Sequence, residues 1–231
     1  MIRAFPKPLK FPAIETKRLP ERKPMTIALA FTSEPGVVLC SDTQMTSDSG
    51  FKFEESKLLS AREANTWGLF GIYAGDPELA HSVERQLTTL YSEVEEAPTD
   101  EEFEQQLEKI VTRVCRKRRG QLVMYWAFST QIYVRLFRVS QKTITDVVDF
   151  DCFGVGDSSL VRFLADNLRI VRTQDAARAA SYIVRQAIKY IEGVGGSVET
   201  WAIYKSGRIE TIGTSKLPRG ARPIPKRLIR T

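Results

Sequence analysis

Histidine is almost absent. His81 is the sole one in 231 residues, so a Ser-His-Asp or Cys-His hydrolytic centre would have to be built on that side chain. Its place on a helix expected to start at Asp76 makes it a surface or interface residue instead. Cysteine is scarce as well: Cys40, Cys115 and Cys152 form no CxxC pair and no even-numbered set. That excludes a disulfide framework and points to free, buried thiols in a reducing compartment. No grouping of His, Cys, Asp and Glu has metal-ligand spacing, so neither a metal nor another cofactor is expected. The longest apolar runs, residues 67–74 and 122–128, are far too short for a spanning helix. The charged N-terminus lacks the apolar stretch of a signal peptide. The expected location is the cytoplasm, with no membrane partner. Internal repeats and low-complexity blocks are missing too. The glycine-rich stretch 193–196 lacks the strand before and helix after that a phosphate-binding loop needs, and reads as a helix stop.

What is present is the composition of an ordinary globular domain, 42% hydrophobic and 27% charged. The formal charge of +6 is unevenly placed: residues 1–24 carry +5 and residues 216–231 carry +6, which leaves −5 on the body. Prolines 6, 8, 12, 20 and 24 and prolines 218, 223 and 225 mark those two ends as extended arms. The expected organisation is a basic arm or propeptide over 1–25, one domain over 26–215 and a basic tail over 216–231. Basic arms of this kind suit solvated tails better than a nucleic-acid interface. The basic run 115–119 closes a helix, where it complements the negative end of the dipole.

Within the body the hydrophobic period changes repeatedly. Strands are predicted over 26–32, 37–41 and 68–74, the first two joined by a turn at 33–36. Asp76 and Pro77 open a helix with its apolar stripe at Leu79, Val83, Leu87, Leu90, Tyr91 and Val94, reaching about Glu95. Thr99 and Glu102 form a capping box for a second helix ending at Gly120. Strand-like runs follow at 122–128, 131–139 and 143–153, then helices through 160–168 and 175–192. A closing hairpin is expected over 199–205 and 208–212, with Ser206 and Gly207 at its tip. Grouped strands and paired helices exclude a strictly alternating parallel fold. They fit an α+β arrangement of two mostly antiparallel sheets with a helix pair on each outer side.

The runs Thr26–Phe31, Gly36–Thr46, Ser56–Leu59 and Tyr73–Asp76 resemble the opening half of proteasome β-type subunits and of the bacterial two-ring heat-shock peptidase. These are N-terminal nucleophile (Ntn) hydrolases. The match runs from Thr26 to Asp42 without a gap and needs one deletion before Lys57; the order of elements continues it to about residue 212. The resemblance implies a four-layer αββα sandwich, assembly into a homo-oligomeric ring, a peptide or unfolded-protein substrate and an unfolding ATPase as partner. It implies Thr26 as nucleophile, with its own α-amine as base once that amine is free. It assigns Lys57, held by Asp42, to keep that amine neutral, and the Gly75 N–H to the oxyanion. Three positions depart from the family pattern. Val155 stands where a serine between glycines is usual, and Glu192 and Gly195 stand where the family has an aspartate and a serine. Glu192 could substitute with a longer reach. The resemblance further requires that Thr26 be released from Met25, by self-cleavage or by removal of an initiating Met25. Two other readings stay open: a catalytically inactive structural or scaffold subunit, and an Ntn amidase acting on a small molecule.

Overall fold

The computed structural model describes residues 26–47, 49–117, 120–140, 143–154, 159–167 and 172–212. The two arms, Arg118, Arg119, Val155, Gly156 and Leu168, which enter the sequence reading, lie outside the described residues.

Strands β1 (Ile27–Ser33) and β2 (Gly36–Asp42) form the expected hairpin. They continue through β3 (Gln44–Thr46), β4 (Lys52–Glu54), β5 (Leu58–Glu63) and β6 (Gly68–Gly75) into helices α1 (Pro77–Tyr91) and α2 (Asp100–Lys117). Then come β7 (Leu122–Ser129), β8 (Val134–Ser140), β9 (Ile144–Asp146), β10 (Phe150–Gly154), α3 (Ser159–Asn167), α4 (Thr173–Tyr190), β11 (Val198–Tyr204) and β12 (Ile209–Thr211). One five-stranded sheet has the order β10–β1–β2–β11–β12 and another the order β5–β6–β7–β8–β9, while β3 and β4 form a separate ribbon. Every pairing between these strands is antiparallel.

Strand alternation sorts the side chains into three apolar clusters. In β1, Leu29 faces α3 and α4 with Val161, Ile183 and Val184, whereas Ala28 and Ala30 face the other sheet and meet Phe70, Ile72 and Tyr125. In β6, Phe70 and Ile72 belong to that inter-sheet cluster, and Leu69 and Tyr73 pack with Val83, Leu87, Phe103 and Leu107 of α1 and α2. Both faces of these strands are buried, which is why they read in sequence as continuous apolar runs. No described helix is long and apolar enough to cross a membrane.

Local chemistry sets the helix starts. Asp76 accepts from the N–H groups of Glu78 and Leu79 at 2.9 and 3.3 Å, with Pro77 in the first turn. The capping box forms as read: Glu102 accepts from the Thr99 N–H at 2.9 Å, and the Glu102 N–H donates to the Thr99 hydroxyl at 3.3 Å.

Several boundaries differ from the sequence reading. Helix α1 stops at Tyr91, four residues early, because residues 93, 95 and 96 are glutamates at its negative end. Val94 still reaches the core, from the loop rather than from the helical stripe. Strand β8 starts at Val134 because the Thr130 hydroxyl accepts from the N–H groups of Ile132 and Tyr133 and holds a turn there. The run 143–153 is two strands, not one. Residues 144–146 pair with β8 and residues 150–154 with β1, so the chain changes sheets at Val147–Asp149. Three strands were invisible to periodicity: β3 and β4 are three residues each, and β5 carries a register shift between Ser60 and Arg62 that breaks its alternation. Cys40 and Cys152 are buried free thiols, but Cys115 is half-buried.

Phe103 is fully buried, with ring centroids 5.0 Å from Phe128 and 5.5 Å from Phe137. Phe103→Ala is expected to cost about 3–5 kcal/mol, seen as a lower urea midpoint with an unchanged slope.

Candidate active site

Asp42 ends β2 with its side chain fully buried. An ionised carboxylate survives there only if donors surround it. Three do: the Ile27 N–H at 3.1 Å and the Lys57 ammonium at 2.7 Å reach Oδ1, and the Gly195 N–H reaches Oδ2 at 3.2 Å. Lys57, also fully buried, gives a second hydrogen bond to the Gln44 carbonyl at 2.8 Å. Burial pushes the Asp42 carboxyl up and the Lys57 ammonium down, and their mutual attraction works against both shifts.

Thr26 is buried and immediately precedes β1. Because the next residue's N–H and the Lys57 ammonium share one oxygen of Asp42, the structure brings Thr26, Asp42 and Lys57 to the same end of the sheet. Lys57 leads into β5, and its carbonyl accepts from the Tyr73 N–H at 3.3 Å. Gly75 lies two residues further along β6, at the strand's end. Its φ of +106° is in the left-handed region, and a Cβ there would press on the Gln121 carbonyl, so the turn into α1 demands glycine. No described hydrogen bond joins Gly75 to Thr26, Asp42 or Lys57.

Glu192 is not drawn into this group. It is exposed just beyond the end of α4, and no described hydrogen bond or ion pair links it to Asp42 or Lys57. The α4–β11 turn contributes backbone in its place, through Gly195. Sequence reading missed that role, and it missed Gln44. The Gln44 carbonyl holds Lys57, its N–H donates to the Gly195 carbonyl at 3.1 Å, and its side-chain amide donates to the Gly193 carbonyl at 3.1 Å. A Cβ at Gly195 would run into the Gln44 side chain, so the glycine standing where the family has a serine was the available signal.

His81 sits half-buried on α1, with its ring nitrogens near Glu84 and Glu55 and no described hydrogen bond to Thr26, Asp42 or Lys57. Among the described residues no group of three or more His, Cys, Asp or Glu side chains could hold a metal ion. Burial pushes the Cys40 thiol up to about 12, and it contacts the Thr200 hydroxyl at 3.1 Å, so it is no nucleophile at neutral pH.

Removing one member of a buried ion pair strands the other charge. Asp42→Asn or Lys57→Met alone is expected to cost about 3–5 kcal/mol in chemical denaturation, and the double replacement clearly less than the sum of the two. Additive losses would show that the pair is not coupled.

Solved structures with a similar backbone include Anbu proteins from three bacteria. Anbu from Hyphomicrobium sp. strain MC1 shares 16% identity over 82% of this chain and 88% of that one, with a TM-score of 0.69. Anbu, described as an ancestral beta-subunit, from Yersinia bercovieri shares 15% over 84% and 89%, with a TM-score of 0.70. The Anbu complex of Pseudomonas aeruginosa, solved as a helical assembly, shares 14% over 83% and 88%, with a TM-score of 0.68. No family model matches the chain, and no curated protein matches it. At these identities the likeness shows a shared fold.

Proposed function

We propose that this chain is a proteasome-like subunit of αββα layer order that hydrolyses peptide bonds through Thr26, in an oligomer of like subunits in the cytoplasm. The observation that carries the reading is the convergence of the Ile27 N–H and the Lys57 ammonium on one oxygen of Asp42, at 3.1 and 2.7 Å. It fixes a cation beside the first residue of β1, where a free α-amine would otherwise be half protonated near pH 8. A neighbouring cation favours the neutral, basic amine.

In this reading the Thr26 hydroxyl attacks the peptide carbonyl carbon as its proton passes to the α-amine. The Gly75 N–H takes the oxyanion, and the amine returns the proton to the leaving nitrogen as the C–N bond breaks. Water then hydrolyses the ester on Thr26. While residue 25 is attached, the nitrogen is an amide without a basic lone pair, so release of Thr26 precedes any turnover. The fold shared with Anbu, which forms a helical assembly in Pseudomonas aeruginosa, supports an oligomer, closed as a ring or open as a helix. An unfolding ATPase would supply extended substrate.

A second reading, an inactive structural subunit, is favoured by one observation: Glu192 lies exposed, away from Asp42 and Lys57.

Thr26→Ala is expected to abolish peptide turnover and covalent labelling by an electrophilic peptide, with the oligomer intact. Intact mass and N-terminal sequencing of native protein should give a chain starting at Thr26. Turnover that survives the substitution removes Thr26 as nucleophile, and a chain that keeps residue 25 supports the structural subunit.

A further inference from the structure

Lys57 has a second carboxylate built in beside it that the proposed hydrolysis leaves unused. Glu199, half-buried, stands at the second position of β11, opposite Ser41 and one step from the pairing of Val198 with Asp42. Trp201, two residues on, packs against the cluster between the sheets, so strand alternation turns Glu199 toward the second sheet as well. There its Oε2 accepts from the Ser56 hydroxyl at 2.6 Å. Ser56 is the residue before Lys57, and its oxygen accepts in turn from the Leu58 N–H at 3.3 Å. The contact crosses from one sheet to the segment entering the other, between residues 143 positions apart, and it brackets Lys57 on both sides.

A single counter-ion serves a buried ammonium poorly when burial pushes that counter-ion toward its own neutral form, as it does Asp42. Further negative charge at a fixed place helps the ammonium without touching it. Burial pushes the Lys57 ammonium down, and the carboxylates that oppose this are Asp42 first, then Glu199, then Glu55. Glu55 is 40% exposed and stands 3.5 Å from His81, whereas Glu199 is held by a short charge-assisted bond to the residue adjoining Lys57. Glu54 is exposed and turned to the Thr43 hydroxyl at 2.8 Å. Groups that border the pair from neighbouring elements add no charge: the Gln44 carbonyl, the Gly195 N–H, the Tyr73 hydroxyl that burial pushes up, and the Cys40 thiol pushed up to about 12. The α-amine of Thr26, once free, is the remaining group that titrates there.

We propose that Glu199 is a positioning residue for Lys57: its carboxylate is the second counter-charge of the buried ammonium, and its bond to Ser56 fixes where the lysine enters the site. What that ammonium does for Thr26 rests on the peptidase reading; the coupling of Glu199 to Lys57 rests on the contact itself.

The test follows lysine ε-carbon signals in isotope-labelled full-length protein, with the Lys57 signal identified by its loss in Lys57→Arg. Its pH midpoint is expected to fall by about half a unit to one unit in Glu199→Gln, whose amide oxygen still accepts from Ser56 but carries no charge. Ser56→Ala keeps the charge and releases it into water, and should lower the midpoint by about half as much. Glu101→Gln, a change to an exposed carboxylate on α2, should leave the midpoint where it is. An unmoved midpoint in Glu199→Gln, or equal falls in Glu199→Gln and Glu101→Gln, would overturn the proposal. Should Glu199→Gln fail to fold, an unmoved midpoint in Ser56→Ala overturns it equally. In a chain that begins at Thr26, the alkaline limb of kcat/KM should move down with the Lys57 midpoint. A midpoint that falls in a protein that never turns over peptide refutes the peptidase reading and leaves the coupling. Turnover with alkaline limb and Lys57 midpoint both unmoved in Glu199→Gln does the reverse.

Discussion

The buried carboxylate of Asp42 ties the candidate site together. Its two oxygens accept from the first strand, from the residue leading into β5 and from the turn after α4, three segments far apart in sequence. Taking a carboxylate and an ammonium out of water is expensive, and the arrangement holds because each charge has partners beyond the other: two backbone N–H groups for Asp42 and the Gln44 carbonyl for Lys57. A hydrophobic pair of similar volume could hold these strands as well. The polar arrangement adds direction, since it sets a cation at a defined place beside Thr26.

That placement depends on the sheets around it. Strands β1 and β2 are buried on both faces, one against α3 and α4 and the other against the second sheet. The alanines at 28 and 30 and Leu29 between them bring only apolar side chains to this part of β1. Polar groups gather at the strand ends, where Gly75 turns β6 into α1 and Gly195 brings the α4–β11 turn against Gln44. The same end carries Glu55, Glu84 and His81 beside Tyr73.

The first hairpin, both helix caps and the closing hairpin were legible because each depends on short-range chemistry. Asp76 and Pro77, Thr99 with Glu102, and Ser206 with Gly207 act within a few residues of one another. Ser206 and Gly207 do adopt left-handed φ values of 65° and 70° at the tip. Strand β5 was hidden by its bulge, and the run 143–153 read as one strand because periodicity carries no information about which sheet a residue joins.

The amino-acid sequence by itself carried most of the element types and the apolar faces, since local spacing encodes those, and its resemblance to a known family pointed to Thr26, Asp42, Lys57 and Gly75. Tertiary structure alone decided that Asp42 and Lys57 form a hydrogen-bonded ion pair at 2.7 Å, that Gly195 and Gln44 join them and that Glu192 does not. It alone set His81 between Glu55 and Glu84, with its ring edge-on to that of Tyr73. The reason is physical: such contacts join residues up to 153 positions apart, and their partners are chosen by which strand ends the sheets bring together.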